Sequence, residues 1–491
     1  MKVDIIGSGV AGLAAGIYLQ KHGVQTTIYE RSASVGGLMT GWRRGRYSFN
    51  GCLHWLLGSS KGISFNAFWR EIIDIDALHF VYHDERVRFD ACGKEFVFYN
   101  DIDRFERYLL ENAPEDAKLI RRWMGWVRMV MPHLDYLPPV FNGNFRHDLA
   151  LKMRMWRLLP VLVFVARSSR YTNRTFANKF CSPWLRDALM NLYQYEIGLS
   201  VLVFAQAYAA KRVAGYPMGG SQAVTQKLIE SYNSSGGELR MNTAVKRIRI
   251  ENRVAVGLEL ENGESTDADY VISAADWHWT AFSAIGQKYL PSSLTKLSKP
   301  AHDDIFYSYC MLVLGVRRPM TDVTHFFRIN ENIISPDGTE YQQVEVDVYN
   351  YDNTLAPEGC CSLNVNFPTR EGDFWINLRR DNYEKYIAVK QQFTNEIISR
   401  LCKYFGSDFA HDIEVSDLTT PATYYRYTMN YRGSSQGWSP RRNLLTPSPV
   451  SNKIKGVQNL LFAGHWIEAG GGVPVALATA RNAAMQILGK I

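Results

Sequence analysis

Apolar positions open the chain as a short run, Val3, Ile5 and Ile6, which suits a strand covered on both faces. Glycines interrupt the run. Leu13, Ile17 and Leu19 then recur at helical spacing, and Gly23 is placed to stop that helix. "TTIY", residues 26–29, reads as a second strand and ends against Glu30. Later segments repeat the two periods. Leu239 and Met241, then Val245, Ile248 and Ile250, alternate as strand, and "AVGLELENGE" continues as a hairpin arm that turns at Asn262–Gly263. "ADYVISAAD" is a strand run ending in Asp276, and "NLLFAG" is an apolar strand closing on Gly464. The alanine-rich 470–488 stretch is strongly helix-forming. Between these blocks, residues 101–130 and 382–405 carry helical patterns. "FYSYCMLVLGV", "YQQVEVDVY" and "CCSLNVNF" carry strand patterns.

Bulk properties narrow the picture. A chain of 491 residues has room for one large or two to three ordinary domains. The net charge of +7 is a small surplus for this length, and no nucleic-acid motif accompanies it. Seven cysteines, an odd number with no CxxC, read as mostly buried thiols in a reducing compartment, with no metal site. The N-terminus reads as the first strand of a domain rather than a signal peptide. The apolar run "LLPVLVFVA", residues 158–166, is too short to cross a bilayer, which takes about 20 residues. It lies in a segment, 146–179, with eight Lys or Arg and one acidic residue, Asp148. That segment reads in two ways. It is an interfacial anchor whose Trp156, Leu159, Leu162 and Phe164 enter lipid, or a buried helix with a solvated basic flank. Pro160 argues against one straight helix.

The glycines carry the first chemistry. Gly7, Gly9 and Gly12 have the G-x-G-x-x-G spacing, between a strand and a helix. The first allows the turn, the second lets backbone approach a pyrophosphate, and the third lets helix and sheet pack closely. Free N–H groups at the helix start face the phosphates. Glu30, at the end of the second strand, suits ribose hydroxyls and would repel a 2′-phosphate. Gly36 and Gly37 form a second point of close approach, which an extended flavin dinucleotide uses and a nicotinamide site does not need. The cofactor expected is FAD.

"GYPMGGSQAVTQKLIESYNSSGGELRMNTAVKRIRI" (215–250), "ENGESTDADYVISAADWHW" (261–279) and "NLLFAGHWIEAGGGVPVALATARNAAMQIL" (459–488) join the opening block. Together they resemble the phytoene desaturase, carotenoid isomerase and retinol saturase family of flavoproteins, over nearly the whole chain. The resemblance implies an α/β fold with amine-oxidase-like architecture, in which a Rossmann-like FAD-binding domain is interleaved with a mixed α+β substrate domain. The first is expected from residues 1–75, 206–285 and 436–491, the second from 76–205 and 286–435. It also implies the FAD-contacting residues: Gly7, Ser8, Gly9, Val10, Ala11, Gly12, Glu30, Arg31, Gly36, Gly37, Leu38, Val245, Gly464, Gly472, Val473 and Pro474. Leu38 stands where many members have arginine, which leaves open whether Arg43 or Arg44 replaces that charge.

Candidate catalytic groups are few. His54, in "GCLHW", is either a proton donor or a loop-fixing hydrogen bonder, and His465 either touches flavin or orders its turn. Cys52 is a weaker nucleophile candidate. Tyr216 is placed either in the cofactor pocket or in turn packing, and Asp276 is structural. The function expected is an FAD-dependent oxidoreductase acting on C–C or C=C bonds of a long isoprenoid or polyene lipid, of desaturase or isomerase type. A retinol-saturase-like reductase, a flavin amine oxidase and a non-catalytic flavin-containing lipid-binding protein are the alternatives. A quinone or oxygen is the expected electron acceptor. The expected location is the cytoplasm, with peripheral contact on the inner face of the cell membrane as the further reading.

Overall fold

The computed structural model of the chain describes residues 1–134, 149–439 and 448–489. β1 (Lys2–Ile6) lies at the centre of a five-stranded parallel sheet, between β2 (Gln25–Tyr29) and Tyr270–Ser273. Glu238–Arg240 and Leu460–Phe462 form its edges, so the strand expected to reach Met241 stops one residue earlier. Alternate residues serve two cores. Ile5, Ile28, Ile272 and Leu461 pack with the helices, whereas Ile6, Tyr29, Val271 and Leu460 pack with a hairpin on the other side. Burial on both faces is why these strands are almost unbroken apolar runs. The hairpin joins Val245–Glu251 to Val254–Leu260 through Asn252 and Arg253, both with positive φ, as a tight primed turn requires.

α1 (Val10–Gln20) packs against helices Gly220–Ser234 and Gly472–Ile487. Its small residues permit this. A Cβ on Gly12 would stand 1.9 Å from the Gly7 carbonyl oxygen, and one on Gly16 would stand 2.5 Å from the Tyr232 ring.

A second sheet has seven strands, in the order Ile413–Thr419, Ser308–Val316, Cys361–Thr369, Val344–Val348, Phe326–Ile329, Glu85–Ala91 and Lys94–Tyr99. Only Phe326–Ile329 with Glu85–Ala91 is a parallel pair. Strands from both the 76–205 and 286–435 intervals therefore share one sheet. Val344, Val346, Val348, Leu363, Val365 and Phe367 pack with Phe393, Ile397 and Leu401 of helix Tyr383–Phe405. Period two then leaves Glu345, Asp347, Asn364 and Asn366 on the opposite face. The boundary expected at 205/206 falls inside helix Leu199–Ala210.

One reading of the basic segment needs correction. Leu149–Ser168 is one continuous helix that contains Pro160. An interior proline costs about 3 kcal/mol. Burial of Leu158, Val161, Phe164 and Val165 offsets that cost. Phe164 points inward, with its ring centroid 5.4 Å from that of Trp126, rather than towards lipid. Trp156 (78% exposed), Leu159 (48%) and Val163 (39%) face outward instead. Residues 146–148 lie outside the described residues.

Gly12→Ala is expected to lower unfolding free energy by about 1–3 kcal/mol, the usual cost of overpacking. Denaturant titration checks this. An unchanged midpoint would mean that α1 can lift from the Gly7 carbonyl without penalty.

Candidate functional site

β1 ends at Ile6, and Gly7 reverses the chain with φ +94° while its N–H donates to the Tyr29 carbonyl at 2.9 Å. α1 then starts after Gly9, with no side-chain cap and no acidic residue in its first turn. Its leading N–H groups therefore keep their partial positive charge for a ligand. Gly36 and Gly37 lie against this turn. The Gly36 N–H donates to the Ser8 carbonyl at 3.1 Å, and a Cβ on Gly37 would stand 3.3 Å from the Gly9 Cα. Gly9 itself has an ordinary φ of −69°, and a Cβ there would meet protein only at 3.8 Å. Packing does not demand glycine at that position. Its missing side chain leaves space on the cavity side, which fits a closely approaching dinucleotide.

Glu30 is buried at the rim of the turn. Its carboxylate accepts from the Ser8 N–H (2.9 Å), the Ser8 hydroxyl (2.7 Å) and the Ser32 N–H (2.8 Å). The C-terminal block arrives beside it. A Cβ on Gly464 would meet the Ala11 methyl at 4.0 Å, and helix Gly472–Ile487 begins, also uncapped by a side chain, after Gly471.

All these segments line one cavity of about 820 Å³, near the upper end of the roughly 300–1,000 Å³ usual for small-molecule sites. Of the residues expected to contact cofactor, Gly12 alone lies off the cavity, because it packs on Gly7. Arg31, Leu38, Val245, Val473 and Pro474 line it. Neither Arg43 nor Arg44 does. Arg44 pairs with Asp417 at 3.1 Å and Arg43 donates to the Gly45 carbonyl, so neither supplies the charge absent at Leu38.

The cavity continues from the glycine cradle to an apolar wall that includes Leu53, Leu57, Val201, Phe204 and Met311. His54 projects into this part with 54% of its side chain exposed. Its Nδ1 lies 3.3 Å from the Asp347 carboxylate, which also accepts from the Asn366 amide at 2.6 Å. Burial opposes charge on the imidazole, but Asp347, by proximity and hydrogen bonding, outweighs it and raises His54 to about 9. His54 is therefore a held cation at neutral pH. Its contribution to stability is complete below about pH 6.5 and is lost as pH rises through about 9.

His465 also lines the cavity. Burial lowers it to about 4, so the ring is neutral, and its Nε2 has no protein partner. Cys52 lines the cavity as a thiol, pushed up to about 11 by burial, which weakens the nucleophile reading. Tyr216 does not line it. Its hydroxyl donates to Asp352 at 2.8 Å and its ring packs edge-on against Tyr351, so it belongs to the packing of its turn. Asp276 accepts from the Trp279 and Tyr431 N–H groups and, pushed up to about 7 by burial, fixes the turn beside the cavity.

Sequence reasoning missed Asp347, Asn366, Tyr309 and Tyr424. The strand "VEVDV" did carry a signal: two acids alternating with valines place both carboxylates on one face.

The model of the flavin containing amine oxidoreductase family matches residues 10–488. The chain is similar to a 1-hydroxycarotenoid 3,4-desaturase of Flavobacterium sp., with 24% identity over 98% of this chain and 97% of the relative. It is likewise similar to the chloroplastic prolycopene isomerase of Daucus carota, with 24% identity over 88% of this chain and 71% of that one. Among solved structures, an oxidoreductase from Methanosarcina mazei matches with a TM-score of 0.58 at 16% identity, over 99% of this chain and 100% of that one. A putrescine oxidase variant matches with 0.59 at 14% identity, over 100% and 99%. These structures establish the shared fold.

NMR titration of the imidazole is expected to place His54 near 9. With Asp347→Asn, burial is left to dominate, and the value should fall below the ordinary histidine range. A titration unmoved by that substitution would show that the pair does not form.

Proposed function

The chain belongs to the family of flavin containing amine oxidoreductases, and from that premise we propose that it acts on C–C or C=C bonds of a long apolar isoprenoid or polyene lipid, as a desaturase or isomerase of the carotenoid type. Its cofactor is FAD, which when bound supplies the acceptor or donor of a hydride. The observation that carries the reading is the single cavity running from the glycine cradle to the apolar wall. The names of the relatives, carotenoid desaturase and prolycopene isomerase, support the same substrate class.

In this reading the free N–H groups of Gly9, Val10 and Ala11 hold the pyrophosphate. Glu30 holds ribose hydroxyls, and Val245 lies at the adenine. Gly464, Gly472, Val473 and Pro474 surround the flavin end, where the uncapped helix start favours negative charge. Leu53, Leu57, Val201, Phe204 and Met311 exclude water and orient the polyene. A quinone or oxygen takes up electrons when the net reaction is desaturation.

One feature weighs against the amine rival. A substrate ammonium would enter beside the His54 cation, a repulsive contact in an enclosed space, which disfavours an amine substrate.

No helix among the described residues is long and apolar enough to cross a membrane. Helix Leu149–Ser168 instead presents Trp156, Leu159 and Val163 outward, flanked by Arg157 and Arg167. It also packs on Leu199–Ala210, which carries the cavity residues Val201 and Phe204. Peripheral attachment through this helix would bring a lipid-borne substrate close to the cavity.

Anaerobic mixing of the holoprotein with polyenes is expected to bleach the flavin, or to change product geometry at constant mass, whereas primary amines leave the spectrum unchanged. Bleaching by an amine and by no polyene would overturn the substrate class. Glu30→Gln is expected to weaken FAD binding about tenfold, the worth of a charge-assisted hydrogen bond, in a flavin-absorbance titration of the apoprotein. Unchanged affinity would remove Glu30 from the ribose site.

A further inference from the structure

An ion pair in an apolar chamber is costly, because both charges lose water. A substrate that is hydrocarbon throughout gives the chamber no use for one. The pair formed by His54 and Asp347 is also unequal. Asp347 is fully engaged: one carboxylate oxygen faces His54 Nδ1 at 3.3 Å and the other accepts from the Asn366 amide at 2.6 Å. It is also 9% exposed and lies behind the cavity surface. His54 is the member that the cavity meets. Among the described residues, no protein acceptor pairs with its Nε2, and half of the side chain is exposed. The imidazole is thus oriented from behind and left with one donor to offer.

The surroundings set the sign of what it takes. The Arg86 guanidinium lies 5.1 Å from the ring centre of Trp55, which lines the cavity next to His54. Glu345, on the same face of the strand as Asp347, is bound by the buried Arg328 at 2.9 Å. With His54 and Arg86 positive, Asp347 negative and Glu345 matched by Arg328, the balance at this corner is positive. Tyr309 and Tyr424 line the same cavity. A cationic donor there suits an oxygen acceptor, and suits a carboxylate best.

We propose that His54, positioned by Asp347 and Asn366, is a specificity-determining residue that receives an oxygen-bearing end group of the polyene, a carboxylate in preference to a hydroxyl. The proposal rests on the polyene reading above and narrows it. The substrate enters with its apolar length along Leu53, Leu57 and Phe204 and its polar end at His54. Within the family of reactions proposed, this places the enzyme after a step that has oxygenated the chain end.

Equilibrium binding to the holoenzyme, read from tryptophan quenching, tests it with three polyenes that differ only at the end: retinoic acid, retinol and deoxyretinol. The acid is expected to bind about tenfold tighter than the hydrocarbon, with the alcohol between them. His54→Leu should erase the preference for the acid over the hydrocarbon. Asp347→Asn, the second variant should the first fail to fold, should weaken the acid about tenfold and the alcohol much less, because it lets the imidazole discharge at neutral pH. Equal binding of acid and hydrocarbon, or a preference that survives both substitutions, overturns the inference alone. Failure of all three to bind, the hydrocarbon included, overturns the polyene reading and this inference with it.

Discussion

Close approach of bare backbone governs this molecule. Four chain segments meet around the start of α1: the turn at Gly7–Gly9, the Gly36–Gly37 pair, the end of the strand closing at Gly464, and the helix start at Gly472. A side chain would crowd two of these approaches, Gly36 against the Met39 carbonyl and Gly37 against the Gly9 Cα. Gly12 against the Gly7 carbonyl is the tightest, since a single methyl there overlaps an oxygen atom. The two helix starts carry no side-chain cap, and their partial charges converge on one space. The electrostatics that suit a dinucleotide and the packing that holds the core thus come from the same absence of side chains.

The second sheet supplies the contrasting half. Its valine and leucine face is buried under the Tyr383–Phe405 helix, which frees the other face to carry polar groups. Glu345 and Asp347 stand there beside Asn364 and Asn366 because the register pairs Glu345 with Asn366 and Asp347 with Asn364. The amide of Asn366 then reaches Asp347 diagonally across that register. The result is a chamber with a backbone-lined end and a charged, side-chain-lined corner. In the reading proposed above, FAD occupies the first and the second discriminates among polyenes.

Local features were the legible ones. The glycine spacing, Glu30 at a strand end and the alanine-rich last helix each depend on a few neighbouring residues, and the structure has them as read. Features set by distant partners were not. Pro160 disfavours a helix interior, yet burial of Leu158, Val161 and Phe164 holds the helix through it. Phe164 was placed outward because local sequence cannot tell which side of a helix meets Trp126. Tyr216 was split between pocket and packing until Asp352 claimed its hydroxyl. His54 was visible as a residue, but its charge was not, since Asp347 comes from a strand far along the chain and meets it only through tertiary structure.

The central sheet has a cost in time. β1 takes one neighbour, β2, from the first thirty residues, but its other neighbour is Tyr270–Ser273, and the sheet is completed only by Leu460–Phe462. During synthesis the oldest strand therefore waits, with one ladder of N–H and C=O groups unmatched, until more than half of the polypeptide has left the ribosome. Such late closure slows folding and leaves an adhesive edge exposed.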